Sequence, residues 1–192
     1  MDVDVNSKRA LIMFGSAQVF MEQGTRTPSV QDLITRAGVS RRTFYAYFED
    51  KQAVMHAIYL LGVERLLGEC EDAYRLARSA EDLIDGAIEA HLRSAWLYPR
   101  LMYVLGGEAQ HQDSSLYETR IDAMRQIASW YREAVDAPPE SLIVDTTLLA
   151  LELAVRLELR EGDEGRRITR PAIERMRGAM RHIAHQVLLS PG

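Results

Sequence analysis

Cysteine is nearly absent from the 192-residue sequence: there is one, Cys70. A single thiol excludes an intrachain disulfide framework and a Cys-rich zinc site, and it fits a reducing compartment. Long hydrophobic runs are missing as well. The most apolar stretch, Leu142 to Leu159, is interrupted by Asp145, Glu152, Arg156 and Glu158, so nothing approaches the ~18 uninterrupted apolar residues of a membrane span. The opening MDVDVNSKR has no apolar core of the kind a secretion signal carries. These absences predict a cytoplasmic protein without a membrane partner. β-branched residues never alternate usefully with polar ones, so no strand is expected. Internal repeats and low-complexity tracts are absent. The sequence contains no Walker loop, HExxH or dinucleotide glycine pattern and no nucleophile–base motif, so neither an enzyme nor a cofactor is expected.

What remains is helical periodicity and segregated charge. Hydrophobic residues make up 47% and charged residues 27%, enough apolar material for a packed core. The net charge is −5, but residues 7–48 hold six basic side chains (Lys8, Arg9, Arg26, Arg36, Arg41, Arg42) against Glu22 and Asp32. A small basic N-terminal module is therefore joined to a larger acidic body, and the basic module reads as a polyanion binder. The spacing predicts helices over about 8–23, 29–37, 41–47 and 51–78. Further helices are predicted over 81–98, 99–107, 114–136, 140–160 and 170–189, each bounded by glycine, proline or a capping residue.

In the basic module, Ser29 and Asp32 form a capping box that opens a short helix. Gly38 suits the left-handed residue of a tight turn, and Ser40 can cap the helix that follows. Helix, glycine turn and short helix make a helix-turn-helix, whose second helix enters a DNA major groove by its N-terminal end. The residues at that end are Ser40, Arg41, Arg42 and Thr43. Paired arginines suit guanine edges or phosphates, and Tyr45, Tyr47 and Lys51 supply hydroxyl and ammonium donors for phosphates. Phe44 and Phe48 read as core of the module.

The string KRALIMFGSAQVFMEQG-TRTPSVQDLITRAGVSRRTFYAYFEDKQAV, from about Lys8 to Val54, resembles the DNA-binding module of the tetracycline-repressor (TetR) family. AGVSRRTFYAYFEDK is its most specific part. The resemblance implies an all-α homodimer on double-stranded operator DNA, with an N-terminal three-helix helix-turn-helix module (residues 1–50) and a larger C-terminal ligand and dimerisation domain (51–192). It also implies transcription control, usually repression relieved by a small molecule. It further places Ser29 near a phosphate, Arg41, Arg42 and Thr43 towards bases or flanking backbone, and Tyr45, Tyr47 and Lys51 on phosphates. Four positions depart from the family pattern: Phe14, Thr25 and Ile34, which bear on packing, and Arg42, which bears on operator choice.

The C-terminal body is read from its residues. Ile173, Met176, Met180, Ile183 and Val187 are spaced 3, 4, 3, 4, an a/d seam. Leu149, Ala150, Leu153 and Ala154 lie on a preceding helix that is apolar on several faces. Two such helices per subunit would make a four-helix dimer interface; alternatively both close the subunit's own core. His91, Trp96, Tyr103, His111, Tyr117 and Met124 are candidate pocket residues for a small, mostly apolar effector with one or two hydrogen-bonding groups, planar or cationic. His182 and His185 are spaced to share a metal, but no partner motif accompanies them and no metal is expected. Cys70 lies between Glu69 and Glu71 and reads as buried packing. A transcriptional activator of the same fold, or a protein-interaction module with a vestigial helix-turn-helix, is the rival to a repressor.

Overall fold

The computed structural model describes residues 2–189, with side chains from Lys8 onward. The described chain contains helices and no strand. The helices are α1 Asp2–Gln23, α2 Val30–Ala37, α3 Arg41–Tyr45, α4 Lys51–Leu76, α5 Ala80–Leu97, α6 Pro99–Glu108, α7 Tyr117–Ala134, α8 Ile143–Glu161 and α9 Arg170–Ala184. A wider π-type turn over His185–Leu189 continues α9. The all-α expectation holds, and most helix ends fall within the usual uncertainty of two or three residues.

The helix ends follow from local chemistry. The Asp50 carboxylate accepts the Ala53 N–H at 2.8 Å and so caps α4. Ser79 accepts the Asp82 N–H at the start of α5, and Thr169 accepts the Ala172 N–H at the start of α9. Each satisfies one of the amide donors that a helix start leaves without an intrahelical partner.

The chain divides into two compact units. One comprises Met1–Gly62 with Val104–Tyr117, and the other Val63–Tyr103 with Glu118–Gly192. The first part of α4, through Gly62, thus goes with the N-terminal unit, as does the end of α6.

The N-terminal unit packs α1 against α2 around Ile12, Val19, Phe20, Leu33, Ile34, Phe44, Phe48 and Val54. Phe44 and Phe48 are core, as their spacing predicts. Ile34 is buried in this core. The Thr25 hydroxyl donates to the Glu108 carboxylate at 2.8 Å. Phe14, by contrast, is 66% exposed and does not pack in the core. Gly15 sits where α1 meets α2: a Cβ there would come within 2.7 Å of the Ala37 Cα.

The C-terminal unit is built around Leu83, Ile84, Ile88 and Leu92 of α5, Ile127 and Tyr131 of α7, Leu148, Leu151 and Val155 of α8, and Ile173, Met176 and Met180 of α9. Cys70 lies in the same core. Burial, reinforced by Glu69, pushes its thiol up to about 12, so it stays protonated at neutral pH and unreactive.

Candidate nucleic-acid interface and effector region

The helix-turn-helix is set by short-range bonds. The Ser29 hydroxyl accepts the Asp32 N–H at 3.3 Å, while the Asp32 carboxylate accepts the Ser29 N–H at 2.8 Å and the Ser29 hydroxyl at 2.7 Å. These bonds hold the Asp32 carboxyl below its ordinary value. Gly38 ends α2 at φ 65°, ψ 30°, and its N–H returns to the carbonyls of Ile34 and Thr35. That left-handed conformation is cheap only for glycine. Ser40 then accepts the Thr43 N–H at 3.0 Å and opens α3. The Arg36 guanidinium holds the Glu22 carboxylate through two bonds, at 2.7 and 2.5 Å, tying α2 to α1.

Four of the candidate contact residues, Ser40, Arg41, Arg42 and Tyr45, are exposed, and Thr43 and Tyr47 are half-buried. The Arg41 guanidinium lies 5.6 Å from the Tyr45 ring centre, and Tyr45 rests edge-on against buried Phe44 at 5.4 Å. Among the described residues, neither Arg41 nor Arg42 faces a carboxylate. Ser29 is also exposed. Lys51 has work inside the protein: its ammonium donates to the carbonyls of Arg26 at 3.0 Å and Pro28 at 2.9 Å. It fixes the turn that delivers Ser29, a role that the sequence pattern did not suggest.

The candidate effector residues do not form one group. His91, Tyr103 and Met124 are half-buried in the C-terminal unit. Trp96 is 45% exposed. His111 and Tyr117 belong to the N-terminal unit. The His91 Nδ1–H donates to the Ala87 carbonyl at 2.9 Å, and burial lowers the imidazole's pKa, opposed by that bond and by the Glu152 charge. His91 is therefore a neutral ring with Nε2 unprotonated. Sequence reasoning missed the charged residues of this region. Arg120 holds Glu152 in a two-bond pair at 2.9 and 2.5 Å, and the guanidiniums of Arg100 and Arg156 each lie 5.8 Å from the Tyr103 ring centre.

The candidate dimer residues also separate. Ile173, Met176 and Met180 are buried in the unit's own core, so the a/d seam of α9 closes the subunit over most of its length. Ile183 packs partly against that core, and Val187 is exposed. On α8, Leu149, Leu153 and Leu157 form an exposed stripe at 49%, 54% and 50%, with Ala150 and Ala154 half-buried beside it. The exposed face of α9 carries Gly178 and Ala179.

His182 and His185 do not come together as a metal pair: His182 is exposed, while His185 Nε2 lies 2.9 Å from Asp85. Glu81, Asp85 and His185 do bring three ligand-capable atoms within 4.8 Å of one another. The Arg181 guanidinium, 3.1 Å from Asp85, already supplies a cation there.

Residues 12–58 match the family model of the bacterial regulatory proteins, tetR family. This match assigns residues 12–58 to the tetR-family DNA-binding domain. With it comes the function class, a DNA-binding transcription regulator. Solved structures extend the likeness to the TetR fold. The fatty acid degradation regulator FadR from Bacillus halodurans is 15% identical at a TM-score of 0.73, covering 91% of this chain and 94% of its own. The TetR-family regulator PfmR from Thermus thermophilus is 22% identical at 0.68, covering 90% and 96%. A TetR-family regulator from Syntrophomonas wolfei is 16% identical at 0.75, covering 96% of both chains. No curated protein matches the sequence. Among the described residues, no helix is long and apolar enough to cross a membrane.

Proposed function

We propose that this TetR-fold regulator is a homodimeric repressor whose operator binding is relieved by a small organic effector held in the C-terminal unit. The observation that carries the DNA half is the pair Arg41 and Arg42, exposed at the start of α3 without a carboxylate partner. An arginine fork left open on a surface suits the guanine edge or phosphate of a duplex. Ser29, Ser40, Thr43, Tyr45 and Tyr47 complete the contact set, and Lys51 positions the Ser29 turn while keeping a third ammonium donor.

Dimerisation is supported by Leu149, Leu153 and Leu157, three large apolar side chains in a row on α8 that the subunit leaves half in water. With Ala150, Ala154, Gly178 and Ala179 allowing close approach, α8 and α9 of two subunits form the four-helix contact. Ile173, Met176 and Met180 support it from beneath as core. Relief of binding follows if the effector prefers a body conformation whose two DNA modules no longer match the operator half-sites. His91, Tyr103 and Met124 are the effector residues this reading retains.

The test is a gel shift with operator DNA selected from random duplex. A repressor binds with affinity that falls steeply as salt rises, and reporter expression rises when its gene is deleted. Salt-independent or absent binding overturns the reading. Reporter expression that falls on deletion favours the activator.

A further inference from the structure

Within the C-terminal unit, half-buried arginines hold carboxylates. Arg100 reaches Glu164 at 2.9 Å, Arg120 reaches Glu152 at 2.5 Å, and Arg177 reaches Glu89 at 2.6 Å. Arg132 pairs with Asp145. Arg156 breaks the pattern. Its side chain is half-buried, its Nη1 is sealed from water, and that nitrogen has no hydrogen-bond partner among the described residues. Its neighbour is the face of Tyr103. The acid one turn earlier on the same face of α8, Glu152, is held by Arg120 instead. A guanidinium nitrogen denied both water and an acceptor is costly, and it is satisfied where an anion completes it.

We propose that Arg156 is the anion-binding residue of the effector site, and that the effector is an organic carboxylate with an apolar body. This rests on the effector reading above and names its ligand class. The charge count selects a monoanion. Arg100 and Arg120 are neutralised by their own partners, so one positive charge is left, too little for a phosphate dianion. A guanidinium's planar fork is the group that takes both oxygens of a carboxylate. A cationic effector, which an aromatic site alone would permit, is disfavoured because the Tyr103 ring already faces two guanidiniums.

The test uses the full-length protein and a panel of about twenty apolar acids of graded length and ring content, each beside its neutral amide and its amine. Titration calorimetry and operator release are read for each, with 4-phenylbutanoate, 4-phenylbutanamide and 4-phenylbutylamine as the first set. At least one carboxylate should bind more tightly than its amide by roughly tenfold or more, about 1.4 kcal/mol. Arg156→Gln should remove that preference, and Arg156→Lys should restore part of it. Arg156→Met should fold with a Tm no lower than the parent protein, since it removes a half-buried side chain with an unsatisfied nitrogen. Carboxylates that never outbind their amides, or a preference that survives in Arg156→Gln, overturn the proposal. A marked loss of Tm in Arg156→Met also overturns it, because the side chain would then be structural. A neutral compound that releases operator regardless of Arg156 sinks the anion site and leaves the effector reading standing. A carboxylate that binds through Arg156 and leaves operator affinity unchanged does the reverse.

Discussion

The two units use arginine in opposite ways. In the C-terminal unit the half-buried guanidiniums are answered from within, by Glu89, Asp145, Glu152 and Glu164, with Arg156 as the exception. In the N-terminal unit Arg36 is answered by Glu22 and Arg26 lies 3.8 Å from Glu108, but Arg41 and Arg42 at the start of α3 face no carboxylate. An arginine paired inside a fold holds that fold together. One left open awaits an anion from elsewhere, and its burial indicates the kind. Exposed arginines on a short helix suit a large polyanion, whereas a half-buried one on an aromatic ring suits a small ligand. Both roles depend on the proposed dimer.

The largest effect is expected from Leu153→Glu. It places a carboxylate in the middle of the exposed α8 stripe, where a dimer would have to desolvate it. The variant should stay folded, sediment as a monomer and lose operator affinity by about a hundredfold or more, because a single half-site offers only half the contacts. Met180→Glu is the control. Met180 is 1% exposed within the subunit's own core, so that variant should lose cooperative unfolding altogether. A folded, dimeric Leu153→Glu protein would move the interface off α8.

How much of this was legible in the sequence depends on the range of the interactions. The capping box at Ser29, the left-handed Gly38 and the Ser40 cap are encoded within four residues, so spacing alone located them. The seam Ile173–Met176–Met180 was legible as a buried stripe, but a 3,4 spacing reports burial and does not say against what. The partner helices lie in the same subunit. The effector residues were the least legible. His111 and Tyr117 follow Tyr103 closely in sequence, yet they belong with the N-terminal unit because the division falls inside α6. Arg156 reads in sequence as one more solvated charge on a helix. Only the folded chain shows that Glu152, one turn away, is held by Arg120.

Next in size is Gly15→Ala, in the N-terminal unit. Glycine inside a helix usually costs stability relative to alanine, so the ordinary expectation is a gain. Here the new methyl would meet the Ala37 backbone at 2.7 and 2.8 Å, and backbone cannot swing aside. The substitution should cost about 1–3 kcal/mol by thermal or urea unfolding and should weaken DNA binding by prising α2 from α1. A stabilised variant would show that α1 and α2 have slack at this contact.

Arg42→Ala should cost about 1–3 kcal/mol on the preferred operator and relax the choice of base pair at one position in each half-site. Lys51→Ala should weaken all duplexes alike, because its ammonium is committed to the Arg26 and Pro28 carbonyls and acts through the Ser29 turn. If Arg42→Ala left base preference untouched in a selection from random duplex, the specificity would belong to Arg41 and Thr43.

The smallest effect expected is a pH dependence from His91. Its imidazole is held below the ordinary value of 6.5, mainly by burial. The folded chain therefore binds fewer protons at this ring than the unfolded chain does. The resulting stability is fully present above pH 6.5 and is lost as pH falls below it, until the folded ring itself protonates. Tm measured from pH 7.5 to 5.5 should decline, and His91→Gln should flatten part of that decline while keeping a bond to the Ala87 carbonyl within reach. Asp32, held low by its bonds to Ser29, contributes in the same direction but only nearer pH 4, so the two are separable. A decline that is steeper in His91→Gln would mean that the folded ring is protonated, with Glu152 outweighing burial. The C-terminal unit would then hold a second cation beside Arg156, and the charge count that favours a monoanion would have to be redrawn.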